Sequence, residues 1–168
     1  MAKDLSGFHP TVSRIVNMLE TNRAWFETFQ HEPVLTSEQA AKIRTGYALH
    51  QGAKALIVRY RTGQDHAFAM LVVPGDCRFS SKKAKRILQT DNLTFATEQE
   101  VADITGGVLV GGVPPFGNLF GLPVYCDQRV LENEKIVFNA GDRRFSVALE
   151  SRAYQGLARP TIADIVEE

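Results

Sequence analysis

Two apolar stretches joined by turn-forming residues place the strongest restriction on how this chain can fold. The first covers residues 55–60 and the second covers residues 68–73. The residues between them, 61–65, read Arg-Thr-Gly-Gln-Asp and have the composition of a turn. The pattern predicts a β-hairpin, so the fold must contain an antiparallel pair of strands.

Helical patterns alternate with further strand patterns along the rest of the chain. Apolar residues recur at helical spacing over residues 10–20, and helix-capping hydroxyls predict three more helices, over 37–44, 81–88 and 98–105. A further short helix is predicted from residue 151. Short strands are predicted at residues 24–29, 93–96, 108–110, 124–126, 136–139 and 145–149. This order favours a mixed α/β fold of α+β character, in which helices pack on a mixed, largely antiparallel sheet, over a doubly wound parallel sheet.

Length and charge restrict the organisation and the partners. The 168 residues, 44% of them apolar, suffice for one domain with a core, so we expect a single domain over residues 1–168.

No apolar stretch approaches the ~20 residues that cross a bilayer, and no signal-peptide core is present, so we expect a cytoplasmic protein without membrane contact. Nineteen basic and nineteen acidic side chains cancel, so RNA contacts must be local. The basic cluster at 82–86 is either such a contact or a solvated helix face.

Several common kinds of site lack their sequence patterns. The chain has neither a G-x-S-x-G nucleophile motif nor a P-loop. Its four histidines lie in different predicted elements without metal-ligand spacing, so we expect no metal and no cofactor. Cys126 lies in an apolar run and Cys77 in a turn, and we expect neither a disulfide nor a cysteine nucleophile.

Glycine and proline are concentrated at residues 111–117. Glycine lets another molecule approach the backbone, and consecutive prolines fix the chain, so this segment is either a main-chain recognition loop or a tight structural turn. Lys54, at the head of an apolar strand, is similarly ambiguous. It is either a solvated lysine at a strand end or a partly buried ammonium that could stabilise an oxyanion.

A family resemblance bears on both features. Residues 105–107 (Thr-Gly-Gly), 111–117 (Gly-Gly-Val-Pro-Pro-Phe-Gly) and 122–127 (Leu-Pro-Val-Tyr-Cys-Asp) resemble the loop and following strand of the YbaK/EbsC-type editing domains. That family includes the domain inserted in many bacterial prolyl-tRNA synthetases and its freestanding relatives. The stretches 31–34, 52–56, 139–141 and 163–165 occur in the same order, so the resemblance spans nearly the whole chain.

The resemblance implies a freestanding, trans-acting aminoacyl-tRNA deacylase. Its substrate would be a tRNA, tRNA-Pro or a related one, mischarged with alanine, serine, threonine or cysteine. Lys54 matches the family lysine and would be the catalytic residue, with His31 and Tyr47 as further site candidates. The residues implied to bind the substrate are Gly111, Gly112, Val113, Pro114, Pro115, Phe116, Gly117 and Asn118.

Two matters stay open at the level of sequence. The resemblance makes the acceptor end of a mischarged tRNA the expected partner, with an aminoacyl-tRNA synthetase as a further candidate. Either a water or, for a cysteine substrate, its own thiol would attack the ester. The alternative function is a non-catalytic module of the same fold that binds aminoacyl-tRNA or a synthetase, since fold alone does not establish chemistry. The presence of Lys54 together with the intact loop favours the enzyme.

Overall fold

The computed structural model describes residues 4–33, 36–44 and 46–168. The strands in these ranges are β1 (Phe26–Gln30), β2 (Ala53–Thr62), β3 (Asp65–Pro74), β4 (Leu93–Phe95), β5 (Val124–Asp127), β6 (Lys135–Asp142), β7 (Phe145–Glu150) and β8 (Thr161–Ala163). The α-helices are α1 (Pro10–Thr21), α2 (Ser37–Ile43), α3 (Ser81–Ile87), α4 (Glu98–Thr105), α5 (Gln128–Leu131) and α6 (Ser151–Ala158). Leu49–Gln51 and Gly117–Phe120 form short 3₁₀ helices. No helix within the described ranges has the length and apolar character needed to cross a membrane.

The strands are divided between two sheets. The first is antiparallel and has the order β1-β7-β6. The second has the order β4-β2-β3-β5-β8, in which β3 and β8 run parallel to β5 while the other neighbours are antiparallel. The predicted fold class, a mixed and largely antiparallel arrangement packed by helices, is confirmed. The division into two sheets depends on the pairing of β1 with β7, which no local sequence pattern encodes.

The predicted hairpin is confirmed as β2 and β3, which pair from Ala53 opposite Pro74 to Thr62 opposite Asp65. Both strands are apolar along their length because each face of the hairpin packs against an apolar core. Ile57 and its neighbours on one face belong to a large core shared with the first sheet, α1 and α6. Val58 and its neighbours on the other face belong to a smaller core shared with α3.

The helix predictions are confirmed, but one strand prediction is wrong. The hydroxyls of Thr36, Ser80 and Thr97 cap their helices, and Thr97 and Glu100 make the reciprocal hydrogen bonds of a capping box at the start of α4. Helix α6 begins at Ser151 without a side-chain cap. Residues 108–110 form a loop rather than a strand. Their backbone groups bond locally, since the N–H of Val108 donates to the Thr105 hydroxyl and the Leu109 carbonyl accepts from Gly112. The sequence did not predict α5 or β8, which have four and three residues.

Asp142 holds the end of β6 to the beginning of α1. Its Oδ1 accepts from the backbone N–H and Nε of Arg144, and its Oδ2 accepts from Nη2 of Arg144 and from the His9 N–H. The Arg144 guanidinium and these N–H groups lower the pKa of Asp142 to about 2. A carboxyl whose pKa is lowered by folding stabilises the fold above its unfolded pKa and loses that contribution as the pH falls through the folded pKa.

We therefore expect Asp142→Asn to lower the free energy of unfolding at pH 7 by about 1 to 2 kcal/mol, after allowance for solvent screening. The difference from the unmodified protein should shrink below about pH 4, where Asp142 takes up its proton in the unfolded chain while it stays ionised in the folded protein down to about pH 2. Urea unfolding between pH 7 and pH 3 measures this difference, with Asp65→Asn at the exposed hairpin turn as the control. A difference that stays constant with pH would contradict the assigned charge interaction.

Candidate active site

A cavity of about 300 Å³ lies beside the start of β2. Its wall is mostly apolar and includes several small side chains, and no carboxylate is found among its lining residues in the described part of the chain. The wall is built from α2, the 3₁₀ helix at Leu49–Gln51, β2, β4, β6 and the loop before β5. Its representative members are Ala40, Arg44, Leu49, Ala53, Lys54, Ala55, Phe95, Val110, Gly111, Val113, Val137 and Asn139.

Lys54 lines this cavity as the second residue of β2, where its backbone pairs with Val73. Its side chain is partly buried, and Nζ donates a hydrogen bond to the carbonyl oxygen of Cys77 at 3.2 Å. The ammonium is therefore held beside the cavity by a neutral acceptor. Any contact with a substrate would require it to turn from that carbonyl, and the catalytic role of Lys54 stays a prediction.

The first part of the glycine-proline loop also reaches the cavity, through Gly111 and Val113. Gly111 has φ +90°, which a side chain would strain, and its carbonyl accepts from Asn139 Nδ2 at 2.7 Å. The preceding carbonyl, of Val110, accepts from the Arg143 guanidinium. These bonds fix the loop against β6 and the turn after it. Gly112 packs on backbone, because a Cβ there would lie 3.2 Å from the Leu109 carbonyl oxygen.

The second part of the loop is packed into the core. Phe116 is fully buried and contacts the rings of Phe138 and Tyr154 edge-on, while the Pro115 carbonyl accepts from the Tyr154 hydroxyl at 2.8 Å. A Cβ on Gly117 would lie 2.6 Å from Val124 Cγ2, so this glycine permits close packing against β5. Among the described cavity-lining residues we find none of these predicted substrate-binding positions: Gly112, Pro114, Pro115, Phe116, Gly117 and Asn118.

Asn118 lies on the outside of this loop. It is exposed, and its Nδ2 donates to the Leu157 carbonyl in α6 at 3.3 Å. Of the segment 111–118 predicted to bind substrate, the structure thus brings only Gly111 and Val113 together with Lys54. Substrate binding by any residue of the segment remains a prediction.

A polar network lies at the end of the cavity formed by α2 and β6. Arg44 is only 6% exposed, and its guanidinium donates through Nε to the Ser146 hydroxyl and through Nη2 to Asn139 Oδ1, both at 3.0 Å. Asn139 and Ser146 are direct cross-strand partners on β6 and β7, so both side chains lie on the same face of the first sheet. Burial lowers the pKa of Arg44 to about 10, so it stays charged at neutral pH.

His31 joins this network from the opposite side without lining the cavity. Its Nδ1 lies 2.8 Å from the Glu32 carbonyl oxygen, so Nδ1 must carry a proton, and its Nε2 lies 2.7 Å from the Ser146 hydroxyl. Burial lowers the pKa of His31, which favours the neutral ring. The Ser146 oxygen accepts from Arg44, and its one proton has two acceptors within reach, Nε2 of neutral His31 at 2.7 Å and Asn139 Oδ1 at 3.1 Å. Val34, in the same predicted stretch, is outside the described residues.

Tyr47, the other further candidate, packs against β1. Its hydroxyl donates to Glu27 at 2.9 Å, and its ring meets that of Phe29 edge-on. Burial and the neighbouring Glu27 raise the pKa of Tyr47 to about 12. It is not among the described lining residues of the cavity, and its role in the site stays a prediction.

The cysteines and the ionisable clusters offer no other chemistry of note. Cys77 and Cys126 are free, as expected, and burial raises the pKa of the Cys126 thiol to about 12, which disfavours the thiolate. Burial also raises the pKa of Cys77. In residues 4–33, 36–44 and 46–168, no group of three or more His, Cys, Asp or Glu side chains is arranged to hold a metal ion.

Sequence reasoning missed Arg44 and Asn139 as cavity residues. Asn139 carries a usable signal, because it is a polar residue within the apolar run Val137-Phe138 and Ala140 of a strand. Arg44 carries none, since an arginine at the end of a short helix is ordinarily solvated. Its burial results from the first sheet passing beneath the end of α2.

Comparison with known proteins identifies the family to which this chain belongs. The family model described as "Aminoacyl-tRNA editing domain" matches residues 31–157, which include Lys54, Arg44, Asn139 and the whole loop. The chain belongs to the aminoacyl-tRNA editing domain family. The resemblance stated from the loop and the Gly-Ala-Lys-Ala-Leu stretch is thereby confirmed.

Relatives of this editing domain include freestanding and synthetase-borne proteins. It is 29% identical over 155 residues to the multifunctional Ser/Thr-tRNA deacylase ProXp-y of Escherichia coli (strain K12), covering 92% of each chain. It is 27% identical over 130 residues to a proline–tRNA ligase of Stenotrophomonas maltophilia (strain R551-3), covering 77% of this chain and 22% of that one. A crystal structure of a protein proposed as a trans-editing enzyme for prolyl-tRNA synthetase superposes with TM-score 0.80 and 27% identity, covering 95% of this chain and 99% of the other.

Proposed function

We propose that this protein is a trans-acting aminoacyl-tRNA deacylase, which hydrolyses the ester between a misattached small amino acid and the acceptor end of a tRNA. The observation that carries the proposal is the cavity lined jointly by Lys54 and Gly111. Membership of the editing domain family and the similarity to a Ser/Thr-tRNA deacylase over 92% of both chains support a tRNA ester as the substrate. The candidate amino acids are alanine, serine, threonine and cysteine, attached to tRNA-Pro or a related tRNA.

The proposed chemistry is ester hydrolysis without a metal or cofactor. A water oxygen bonds to the ester carbonyl carbon, the bond from that carbon to the ribose oxygen breaks, and the ribose oxygen takes up the proton that water loses. Negative charge develops on the carbonyl oxygen, where the Lys54 ammonium and the loop backbone at Gly111 and Val113, which line the cavity, would stabilise it. Neither a carboxylate nor a histidine lines the described cavity, so the proposal relies on positioning and electrostatic stabilisation.

We further propose that residues 1–168 form one editing domain that acts in the cytoplasm, where aminoacyl-tRNA is used. In support of one domain, the larger apolar core includes residues of α1, both sheets and α6. An aminoacyl-tRNA synthetase is a further candidate partner, given the similarity to a segment of a proline–tRNA ligase.

The test is a deacylation panel. The purified protein is incubated with tRNAs carrying alanine, serine, threonine, cysteine or proline, and the loss of each ester is compared with its spontaneous hydrolysis. Release of at least one non-cognate small amino acid above the spontaneous rate is expected. If none is released while tRNA binds, the protein is a binding module and the proposed activity is wrong.

The binding of RNA should depend only weakly on salt. The net charge is zero, so few phosphates can be neutralised, and the exposed cations of α3, Lys82 and Arg86, are the main local source of charge. We expect the logarithm of the tRNA binding constant to fall with the logarithm of salt concentration with a slope of about −3 or shallower. Fluorescence anisotropy between 50 and 200 mM salt measures it, with a duplex RNA lacking an acceptor end as the control. A steep slope, or equal affinity for that duplex, contradicts the prediction.

A further inference from the structure

Arg44 is a buried charge that the proposed ester chemistry does not use. The residue is only 6% exposed, yet both hydrogen bonds described above go to neutral oxygens, those of Ser146 and Asn139. None of the ion pairs among the described residues includes Arg44. A desolvated charge without a carboxylate is costly to keep, which makes a ligand-binding role worth examining.

The two hydrogen bonds hold the guanidinium in one orientation at the cavity wall. Asn139 is itself fixed, because its Nδ2 donates to the Gly111 carbonyl and its Oδ1 accepts from Arg44. Ser146 is fixed in turn by His31. Arg44 is therefore tied through Asn139 to the loop residue that shares the cavity with Lys54. A side chain held in this way is suited to recognise one group at one position.

The chemistry of the guanidinium defines what that group is. Arginine has five N–H donors and no acceptor, so a partner in the cavity must present an acceptor. A positively charged side chain would be repelled, since the cavity lining contains two cations, Arg44 and Lys54, and no carboxylate among its described residues. The neighbouring wall of α2 and β2 contains alanines at positions 40, 41, 53 and 55, so the space beside the arginine is bounded mainly by small apolar side chains.

We propose that Arg44, positioned by Asn139 and Ser146, binds the side-chain hydroxyl of the misattached amino acid and so selects seryl and threonyl esters over alanyl esters. This inference rests on the proposed deacylase function and specifies its substrate class. Alanine has no acceptor to offer the guanidinium, whereas the hydroxyl oxygen of serine or threonine does. A site built to hydrogen-bond a hydroxyl discriminates strongly against the analogue that lacks it, because the desolvated donor is left unpaired.

The test compares kcat/KM for seryl-, threonyl- and alanyl-tRNA, with the same tRNA body, in the unmodified protein and in Arg44→Met. The unmodified protein should prefer the two hydroxyl-bearing substrates, and Arg44→Met should lower the serine-to-alanine ratio on the order of 10-fold. A purely structural role would lower all three values together and leave the ratio unchanged. The same pattern would result if Arg44 contacted the ester carbonyl, which all three substrates share, and either result overturns the inference.

Two further variants complete the design. Ser146→Ala removes the partner of Arg44 Nε while keeping the charge of Arg44, so it should lower the serine-to-alanine ratio by a smaller factor. This variant tests the inference if Arg44→Met does not fold. Arg152→Gln changes an exposed arginine of α6 outside the cavity lining and should leave the ratio unchanged. A ratio unaltered in folded Ser146→Ala as well as in Arg44→Met overturns the inference.

The failure of the inference and the failure of the proposed function give different results. If the unmodified protein releases no amino acid from any of the three tRNAs, both the proposed function and the inference about Arg44 are wrong. If it deacylates them but prefers alanine, or keeps its preference in folded Arg44→Met, only the assignment of Arg44 is wrong. Circular dichroism and thermal melting of each variant establish which preparations are folded.

Discussion

Lys54→Ala is expected to lower kcat for deacylation by on the order of 10²-fold or more, by analogy with the loss of an oxyanion-stabilising donor. The substitution removes the ammonium at the cavity wall, and with it the charge that would meet the developing oxyanion. Folding should survive, because the pairing of residue 54 with Val73 uses only backbone atoms. The hydrogen bond from Nζ to the Cys77 carbonyl is lost, but Cys77 is only partly buried. Single-turnover deacylation of the best substrate in the panel measures the effect.

Two matched variants show whether the charge or its position matters. Lys54→Arg keeps a positive charge with a different shape, and it should recover only part of the rate, since the two side chains present their donors differently. Arg152→Ala removes an exposed cation of α6 outside the cavity lining and should leave the rate of bound substrate nearly unchanged. A folded Lys54→Ala protein with the full rate would refute the assignment of Lys54 as the catalytic residue.

Phe116→Ala is expected to lower the free energy of unfolding by about 3 to 5 kcal/mol, the usual cost of deleting a buried aromatic ring. The ring is fully buried and meets those of Phe138 and Tyr154 at centroid distances of 5.7 and 5.2 Å. Its removal opens a cavity between the loop, β6 and α6. For a chain of this length the melting temperature should fall by roughly 10 °C.

Controls separate packing from substrate binding at this position. Phe116→Leu keeps most of the apolar volume and should cost less, while Ile162→Ala, at a residue of β8 that is 49% exposed and is not among the described cavity-lining residues, should change stability little. If Phe116 acts in packing, deacylation per folded molecule should stay close to normal at a temperature below melting. Normal melting with lost activity would instead support the role in substrate binding that the family resemblance implies.

The loop shows how far a sequence motif can be interpreted residue by residue. The motif at 111–117 is contiguous in sequence, and all of it was expected to bind substrate. In the structure Gly111 and Val113 line the cavity, whereas Phe116 and Gly117 pack against the core. Composition could not distinguish the cavity-lining residues from the core-packing ones, because glycine and proline occur in tight turns as well as in main-chain binding sites.

Local patterns were enough for most of the secondary structure. The hairpin, α1 and the capped helices follow from apolar spacing and from hydroxyl caps, which act over three or four residues. The strand prediction at 108–110 failed because apolar residues there are followed by turn bonds rather than by a strand partner. The strand β8 was missed because three residues carry too little pattern, and it forms only by pairing with β5.

The sequence was enough for the fold class, the family and three members of the cavity wall, Lys54, Gly111 and Val113. Those depend on residue types and spacings that are visible along the chain. Only the tertiary structure placed Arg44 beside Asn139 and Ser146, about a hundred positions apart in sequence, in one buried network. The physical reason is that burial and charge pairing depend on which elements pack together. The pairing of β1 with β7, and the passage of α2 over that sheet, turn an ordinary helix-end arginine into a desolvated cation.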